Sequence, residues 1–198
     1  NSAGDRVAIG ATGNDGTGTG AGHVRVYEYS NSSWTQLGAD IDGGVTNDYS
    51  GRSVSMDSAG DRVAIGAPND GTTRAGYVRV YEYSSSSWTQ LGSDIDGEAA
   101  SDGSGKSVSI NSAGDRVAIG ATGNDGTGSF AGHVRVYEYS NSSWTQLGSD
   151  IDGEATGDQS GFSVSMNSAG DRVAIGARYN YGLDSLEGHV RVYEYSNS

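Results

Sequence analysis

The chain repeats itself every 54 to 56 residues, and this repetition limits its fold more than any other feature. The eighteen residues that begin at Asn1 recur letter for letter at Asn111, and related versions begin at Asp57 and Asn167. In repeat proteins each unit packs on its neighbours, because one unit alone cannot bury its hydrophobic face. We therefore predict a single region over residues 1–198, made of repeats 1–56, 57–110, 111–166 and an incomplete 167–198.

Each repeat contains four short segments with the composition and alternation of β-strands. In the first unit that contains all four, these are strand a (Ser53–Met56), strand b (Arg62–Ala67), strand c (Tyr77–Tyr83) and strand d (Trp88–Gly92). The connections between them are rich in Asn, Asp and Gly, which favour tight turns. Units of four antiparallel strands, repeated and bulky on both faces, predict an all-β fold of the β-propeller type.

The two ends of the chain fall inside repeats. The first repeat begins with strand b and the last ends after strand c, so we expect about three and a half blades of a larger ring. A seven-bladed ring would need about twice this length. Unpaired strands at both ends would be adhesive, so self-assembly through blade edges is a further expectation.

A short motif at the end of strand b carries a family resemblance. The segment Ile65–Pro68 (IGAP) follows a GxSVS segment and a Gly-Asp turn, and it precedes GYVRVYEY. This order, found once per repeat, resembles the FG-GAP repeat of integrin α-subunit propellers, which implies a seven-bladed ring with an adhesive role. Ser-Gly replaces the FG pair at residues 50–51, 104–105 and 160–161. The family's calcium loop between strands a and b is shortened to five residues, so that calcium site is not expected here.

Charge and composition exclude several classes of function. The net charge is -13, and so acidic a surface repels phosphate backbones, which argues against nucleic-acid partners. No apolar run approaches the ~20 residues that span a bilayer, so membrane insertion is not expected. The chain has no cysteine, which removes disulfides and thiolate metal sites.

Repetition also argues against catalysis, because an active site needs different groups in one small volume. His23, His133 and His189 occupy one repeated position at the start of strand c. Blades lie about 10 Å apart or more, so the three imidazoles are too far apart to share one metal ion. The sequence therefore predicts a protein that is not an enzyme and has no cofactor.

The acidic segment between strands d and a is the strongest candidate for a metal site. Alternate carboxylates that end in a glycine-rich turn resemble part of a calcium loop. The first copy has Gly44 where the others have glutamate, and a closing bidentate carboxylate is missing, so solvated loop carboxylates are the alternative. The calcium candidates are Asp94, Asp96, Glu98, Asp102, Asp150, Asp152, Glu154 and Asp158.

Strand d carries one tryptophan in each complete copy: Trp34, Trp88 and Trp144. These side chains could form a stacking surface for sugars, or each could wedge between two blades and bury its apolar area. The wedge is the favoured interpretation. The turn before strand d contains the glycosylation sequons at Asn31 and Asn141, which we predict to be exposed and to carry glycans in a secreted eukaryotic protein.

Loops b–c and d–a should emerge on one face of the blades, and this face varies most among the copies. The b–c loop of the last repeat diverges furthest, and its candidates for binding are Tyr179, Tyr181, Leu183 and Leu186. Exposed apolar side chains on a loop indicate a partner, although packing of the leucines on their own blade is an equal alternative.

Together these features predict an extracellular or cell-surface propeller for adhesion, recognition or structural assembly, with a protein or glycan surface as its partner. Two alternatives remain open at this point. One is a carbohydrate-binding propeller, assisted by calcium, and the other is an accessory domain of a secreted enzyme.

Overall fold

The computed structural model describes residues 1–180 and 187–196, and every regular element in these ranges is a β-strand. No helix in the described ranges is long and apolar enough to cross a membrane. The strands form four sheets, one per repeat. The first contains β1 (Arg6–Ala11), β2 (His23–Ser30), β3 (Ser33–Gln36) and β4 (Ile41–Asp42). The second contains β5 (Ser53–Met56), β6 (Arg62–Ala67), β7 (Tyr77–Ser84), β8 (Ser87–Gln90) and β9 (Ile95–Asp96).

The third and fourth sheets repeat the same order. The third contains β10 (Ser104–Ile110), β11 (Arg116–Ala121), β12 (His133–Ser140), β13 (Ser143–Gln146) and β14 (Ile151–Asp152). The fourth contains β15 (Ser160–Met166), β16 (Arg172–Ala177) and β17 (His189–Glu194). All paired strands within a sheet are antiparallel, and they follow chain order except that the short β4, β9 and β14 pair with β2, β7 and β12. The prediction of an all-β fold built from repeated antiparallel sheets is confirmed.

Strand d differs from its prediction, because it is broken into two pieces. In the second sheet β8 ends at Gln90, two residues before the predicted end, and pairing with β7 resumes at Ile95. Gly92 lies between the two pieces with φ of +75°, which takes the backbone out of the extended conformation. The resulting bulge carries Asp94, which forms an ion pair with Arg79 of β7.

Three hydrophobic cores lie between consecutive sheets. Between the first and second sheets, Val24 and Val26 of β2 pack with Val63 and Ile65 of β6, and none of the four is more than 2% exposed. Successive side chains on a strand point to opposite faces, so Ala64 joins the next core instead. The second and third sheets are therefore covered on both faces, as the blades of a propeller are.

The outer faces of the first and fourth sheets carry the same apolar side chains that form the cores between other sheets. Val7 and Ile9 of β1 are 38% and 51% exposed, and Val190 and Val192 of β17 are each 68% exposed. The equivalent positions are buried in the second and third sheets, except Val136, which is half-buried. Self-assembly through the outer blades stays a prediction.

From the second sheet onward, strand a of each sheet lies close to strand a of the next sheet. Ser55 Oγ on β5 accepts a hydrogen bond from the backbone N–H of Ile110 on β10, at 3.0 Å. Ser109 Oγ accepts the equivalent bond from Met166 N on β15, at 2.9 Å. A single hydroxyl bridges the two sheets here, so the blades converge at strand a, as a propeller requires of its innermost strand.

The recurring NSAGD segment is a hairpin turn held by its first side chain. Asn111 Oδ1 accepts hydrogen bonds from the backbone N–H groups of Asp115 and Arg116, and Asn111 Nδ2 donates to Asp115 Oδ1 at 2.7 Å. Successive turns are also joined, since Ser112 N donates to Ser168 O and the equivalent bond links each earlier pair. Each copy closes one hairpin and fastens it to the next, which accounts for the near-identity of the copies.

The second copy lacks one hydrogen bond of this turn, because Asp57 stands where the other copies have asparagine. Asp57 accepts the backbone hydrogen bonds, but its carboxylate cannot donate to Asp61 as an amide would. Burial raises the pKa of Asp61, and the neighbouring Asp57 raises it further. We expect Asp57→Asn to increase the free energy of unfolding by about 1 kcal/mol at pH 7, measured by urea denaturation.

The pH dependence of this gain tests its cause. Because its pKa is raised on folding, Asp61 makes the wild-type protein less stable as the pH rises above the ordinary aspartate pKa. The gain from Asp57→Asn should therefore shrink as the pH falls below that value. Asn111→Asp creates the same carboxylate pair in the third sheet and should lose a similar amount of stability at pH 7. A gain that does not change with pH would contradict this account.

Candidate functional site

Two sets of loops lie side by side at one edge of the sheets. Backbone hydrogen bonds of 3.0 Å join loop d–a to loop b–c in three sheets, with donor and acceptor Tyr49 and Gly20, Gly103 and Arg74, and Gln159 and Phe130. We call this surface the variable face, and it comprises residues 12–22, 43–52, 68–76, 97–103, 122–132 and 153–159. The two loop sets therefore emerge together, as the sequence predicts.

The three bonded pairs are structurally equivalent but differ in sequence. All six residues have φ between +53° and +64°. This left-handed conformation costs a residue with a Cβ roughly 1 kcal/mol, whereas glycine adopts it freely. Glycine is present only at Gly20 and Gly103. The other four positions hold Tyr49, Arg74, Phe130 and Gln159, and backbone stability does not explain these larger side chains.

Three apolar side chains on the variable face are open to solvent. Phe130 is 53% exposed, Val45 is 50% exposed and Tyr49 is 40% exposed. The Tyr49 ring lies over Gly20, where a Cβ would come within 3.1 Å of Tyr49 Cε1. Glycine at this position therefore leaves room for the tyrosine, and the face presents aromatic side chains among polar loops.

The fourth repeat contributes a stacked group to the same edge. The Arg178 guanidinium lies 4.3 Å from the Tyr179 ring centroid and 4.2 Å from the Phe162 ring centroid. Arg178 Nε also donates to Gln159 Oε1 at 2.8 Å. Tyr179 is half-buried beneath this arginine, so it has a local packing partner. The other binding candidates, Tyr181, Leu183 and Leu186, lie outside the described residues, and their role stays a prediction.

Both sequons lie in two-residue turns at the opposite edge of the sheets. Asn31 and Ser32 have φ of +51° and +64°, and Asn141 and Ser142 have nearly the same values. Positive φ at both positions defines a type I′ turn, which favours asparagine at the first of them. Both asparagines are exposed, so they are accessible to a glycan. Because the turn itself explains an asparagine, glycosylation stays a prediction.

The tryptophans wedge between blades, as the favoured interpretation predicts. Trp88 Nε1 donates to Leu37 O of the preceding sheet at 2.8 Å, and Trp144 Nε1 donates to Leu91 O at 2.7 Å. Both rings also pack against the hydrophobic cores. Trp34 in the first sheet is 48% exposed. Trp88 and Trp144 therefore stabilise the contact between neighbouring blades, and sugar stacking stays an untested alternative.

Two of the calcium candidates, Asp94 and Asp150, are bound to arginines. Arg79 donates to both oxygens of Asp94 at 2.9 and 2.8 Å, and Arg135 donates to those of Asp150 at 3.0 and 3.3 Å. Partial burial opposes ionisation of Asp94, but hydrogen bonds from Arg79 and Gln90 hold its pKa below the usual range. These pairs fasten the bulge of strand d to strand c.

Asp102 and Asp158 have a different role, because they close the d–a loops. They are 3% and 0% exposed, and each accepts a backbone hydrogen bond from its own loop. Asp158 Oδ2 also accepts from Asn180 Nδ2 of the next sheet at 2.9 Å. In the first copy, Asp48 Oδ2 accepts from the Tyr77 hydroxyl at 2.6 Å. These carboxylates therefore link neighbouring blades.

The remaining candidates are near the interfaces between sheets. Glu98 contacts Arg135, and Glu154 forms an ion pair with Arg191 at 3.1 Å. Burial raises the pKa of Asp96, which lies on β9 and is matched by Asp152 on β14. Six of the eight carboxylates thus have protein partners of their own, and calcium binding stays a prediction.

The histidines lie on three different sheets, and each faces carboxylates. His133 is 3% exposed, and its Nδ1 lies 3.6 Å from Asp150 Oδ2 and 4.0 Å from Glu98 Oε2 without any hydrogen-bond partner. Burial lowers the pKa of His133, and nearby carboxylates, Asp150 foremost, oppose this effect. Sequence reasoning missed this cluster, because it compared the histidines with one another and not with the preceding sheet.

Comparison with solved structures identifies the architecture. The chain is similar to a "putative 6-phosphogluconolactonase" from Bacteroides uniformis, at 9% identity and a TM-score of 0.59 over 90% of this chain and 48% of that one. It is also similar to U3-55K and to the RRP9 WD40 repeats, each at 16% identity and a TM-score of 0.50 over 87% of this chain. The chain spans about half the length of these structures, 48% or 49% of each.

The fold is that of a β-propeller. The four consecutive sheets and the WD40 propeller structures agree on this point, and the predicted fold class is confirmed. No protein-family model matches the chain, and no curated protein matches it in sequence. The resemblance to FG-GAP repeats therefore stays a prediction.

The prediction that the chain is not an enzyme is contradicted by the first of these structures. The same architecture occurs in a protein described as a lactonase, so a ring of repeated blades does not exclude catalysis. The argument failed because loops of different copies are not identical, and neighbouring copies can bring different groups together. At 9% identity the likeness shows the fold alone, and it assigns no reaction to this chain.

Proposed function

We propose that the chain is a recognition module of an extracellular or cell-surface protein, and that its variable face binds a glycan or protein surface. The observation that carries this proposal is the exposure of Tyr49 and Phe130 at left-handed backbone positions. Gly20 occupies the position equivalent to Phe130 and Gly103 the position equivalent to Tyr49, which indicates that glycine satisfies the fold at both.

Exposed aromatic rings suit binding better than they suit stability. Large exposed apolar side chains order water when free and release it when a partner covers them. Aromatic side chains are common among the residues that dominate binding energy at interfaces. Around Tyr49 and Phe130 the loops carry asparagine, aspartate and threonine, which supply donors and acceptors for the hydroxyls of a sugar or the backbone of a protein.

Charge and turn sequences support the location outside the cell. With a net charge of -13, the chain repels nucleic acid and the anionic surface of a membrane. The sequons at Asn31 and Asn141 lie in exposed turns at the edge away from the variable face, so glycans there would leave that face open. The resemblance to FG-GAP repeats supports an adhesive role of the same kind.

Replacing both aromatic residues tests this proposal. We expect the double variant Tyr49→Gly and Phe130→Gly to keep the free energy of unfolding within about 1 kcal/mol of wild type, because relief of the left-handed strain offsets lost packing. Binding should fall at least ~10-fold, since each aromatic anchor contributes more than about 1 kcal/mol. The measurement is binding of the purified chain to a glycan array and to a displayed peptide library, beside urea denaturation.

Tyr29→Ser is the matched control. Tyr29 is 46% exposed but lies at the far end of β2, away from the variable face, so its replacement should leave binding unchanged. Glycan binding lost only in the double variant supports a glycan partner, and peptide binding lost in the same way supports a protein partner. Ligands that bind wild type and the double variant equally would contradict the proposal.

A further inference from the structure

The interface between the second and third sheets contains an imidazole and two carboxylates from different copies. Glu98 belongs to loop d–a of the second sheet, His133 begins β12, and Asp150 lies in the bulge between β13 and β14 of the third sheet. One oxygen of each carboxylate and the imidazole nitrogen lie within 4.8 Å of one another. None of these side chains belongs to the aromatic anchors Tyr49 and Phe130 of the proposed recognition.

The imidazole is buried without a partner. His133 is 3% exposed, and its Nδ1 makes no hydrogen bond to any described residue although it is shielded from water. A buried polar nitrogen left unbonded lowers stability, so native structures rarely contain one. The two carboxylate oxygens that face it, Asp150 Oδ2 at 3.6 Å and Glu98 Oε2 at 4.0 Å, are too far for a hydrogen bond.

The charge around His133 leaves room for a cation. Arg135 contacts Glu98 Oε1, and its Nε and Nη2 donate to Asp150 at 3.0 and 3.3 Å, so one positive charge faces two negative charges. The negative charges of the Asp102 and Asp152 carboxylates also attract a positive charge at His133. Arg135 therefore does not neutralise both carboxylates, and the net charge of the cluster is negative. Glu98 Oε2 and Asp150 Oδ2 lie on the side of the imidazole.

The chain contains its own comparison for this cluster. Between the first and second sheets, Gly44 stands at the position of Glu98 and Tyr77 stands at the position of His133. Glu154 and His189 recur together between the third and fourth sheets, with 3.7 Å between Oε2 and Nδ1. Glutamate thus accompanies histidine at two interfaces, and glycine accompanies tyrosine at the remaining one.

We propose that Glu98, His133 and Asp150 bind a divalent transition-metal cation of the Zn²⁺ type across the interface between the second and third sheets. Zn²⁺ lies about 2.0 to 2.2 Å from nitrogen and oxygen ligands, so tetrahedral ligand atoms are ~3.4 Å apart. The observed separations from Nδ1 are 3.6 and 4.0 Å and need only small side-chain rotations. An imidazole ligand favours zinc over calcium, which takes six to eight oxygens.

The test gives this interface the residues that are found between the first and second sheets. Glu98→Gly and His133→Tyr together reproduce Gly44 and Tyr77, a pair that the same fold already accommodates. Both proteins to be compared carry His23→Tyr, which removes the imidazole of the other cluster that brings a histidine together with two carboxylates, those of Asp40 and Asp42. Zn²⁺ affinity of the chelator-treated chain is measured by competition with a chromogenic chelator, and tetrahedral Co²⁺ absorption reports the ligand set.

The His23→Tyr protein should bind Zn²⁺ and give the absorption of tetrahedral Co²⁺. Adding Glu98→Gly and His133→Tyr should weaken Zn²⁺ binding at least ~100-fold, because two ligands are lost and even outer-sphere changes cost ~10-fold or more. Thermal unfolding without metal checks that both proteins are folded. Absence of Zn²⁺ binding by the folded His23→Tyr protein would overturn the proposal, as would equal affinity in the two proteins.

Discussion

Replacing Gly120 with alanine is expected to lower the free energy of unfolding by about 3 kcal/mol or more, enough to unfold much of the protein. A Cβ at Gly120 would fall closer than 3 Å to the backbone carbonyl of Gly161 in the next sheet. That carbonyl cannot rotate away as a side chain would, because Ser107 Oγ donates a hydrogen bond to it at 2.7 Å. The two sheets would have to separate where β11 lies against β15.

Gly176 provides the matched control, because it has the same place in the fourth sheet. A Cβ there would meet Ser163 Oγ at 2.5 Å, and the nearest backbone atom would be 3.8 Å away. Gly176→Ala should therefore cost less than about 1 kcal/mol, since a serine side chain can change rotamer. Urea denaturation of both variants measures the difference. Equal losses in the two variants would show that close contact between sheets is not the cause.

The sequence was sufficient for the strands because local chemistry determines them. In Arg62–Ala67 the β-branched residues alternate with small ones, so both the strand and its two faces could be predicted. The Asn-Ser-Ser and Ser-Ser-Ser turns have positive φ at their first two residues, and this conformation produces tight hairpins. These features depend on neighbours within a few residues, and repetition confirms each of them several times along the chain.

Features that depend on contacts between sheets could not be predicted in the same way. Strand d reads as one segment in the sequence, and the positive φ at Gly92 that divides it in two gives little local signal. The glycine of each RVAIGA strand looks like a small residue in a strand. Its contact with the Ser-Gly pair of the next repeat becomes visible only when two sheets are placed together.

The candidate sites show the same division. The variable face followed from strand order, because loops b–c and d–a must emerge together. The exposed position of Phe130 was visible only as one of three differences between two near-identical copies. The cluster of Glu98, His133 and Asp150 joins residues of adjacent repeats. Its one sequence signal is the joint exchange of glutamate with glycine and of histidine with tyrosine.

Trp144→Ala is expected to lower the free energy of unfolding by about 3 kcal/mol, whereas Trp34→Ala should cost about 1 kcal/mol or less. Both rings pack on a tyrosine of their own sheet, Tyr139 at 5.0 Å and Tyr29 at 5.2 Å between centroids, so that contact cancels in the comparison. Only Trp144 also fills a core between sheets and donates to Leu91 O. The difference therefore measures what one wedge contributes between blades.

Trp144→Phe separates the hydrogen bond from the packing in that difference. Phenylalanine keeps most of the apolar area but leaves Leu91 O without its donor, so we expect a loss of about 1 to 2 kcal/mol. Urea denaturation of the three variants gives the values. If Trp34→Ala and Trp144→Ala were equally costly, the tryptophan would act within its own sheet, and cohesion between blades would depend on the cores and the strand-a contacts alone.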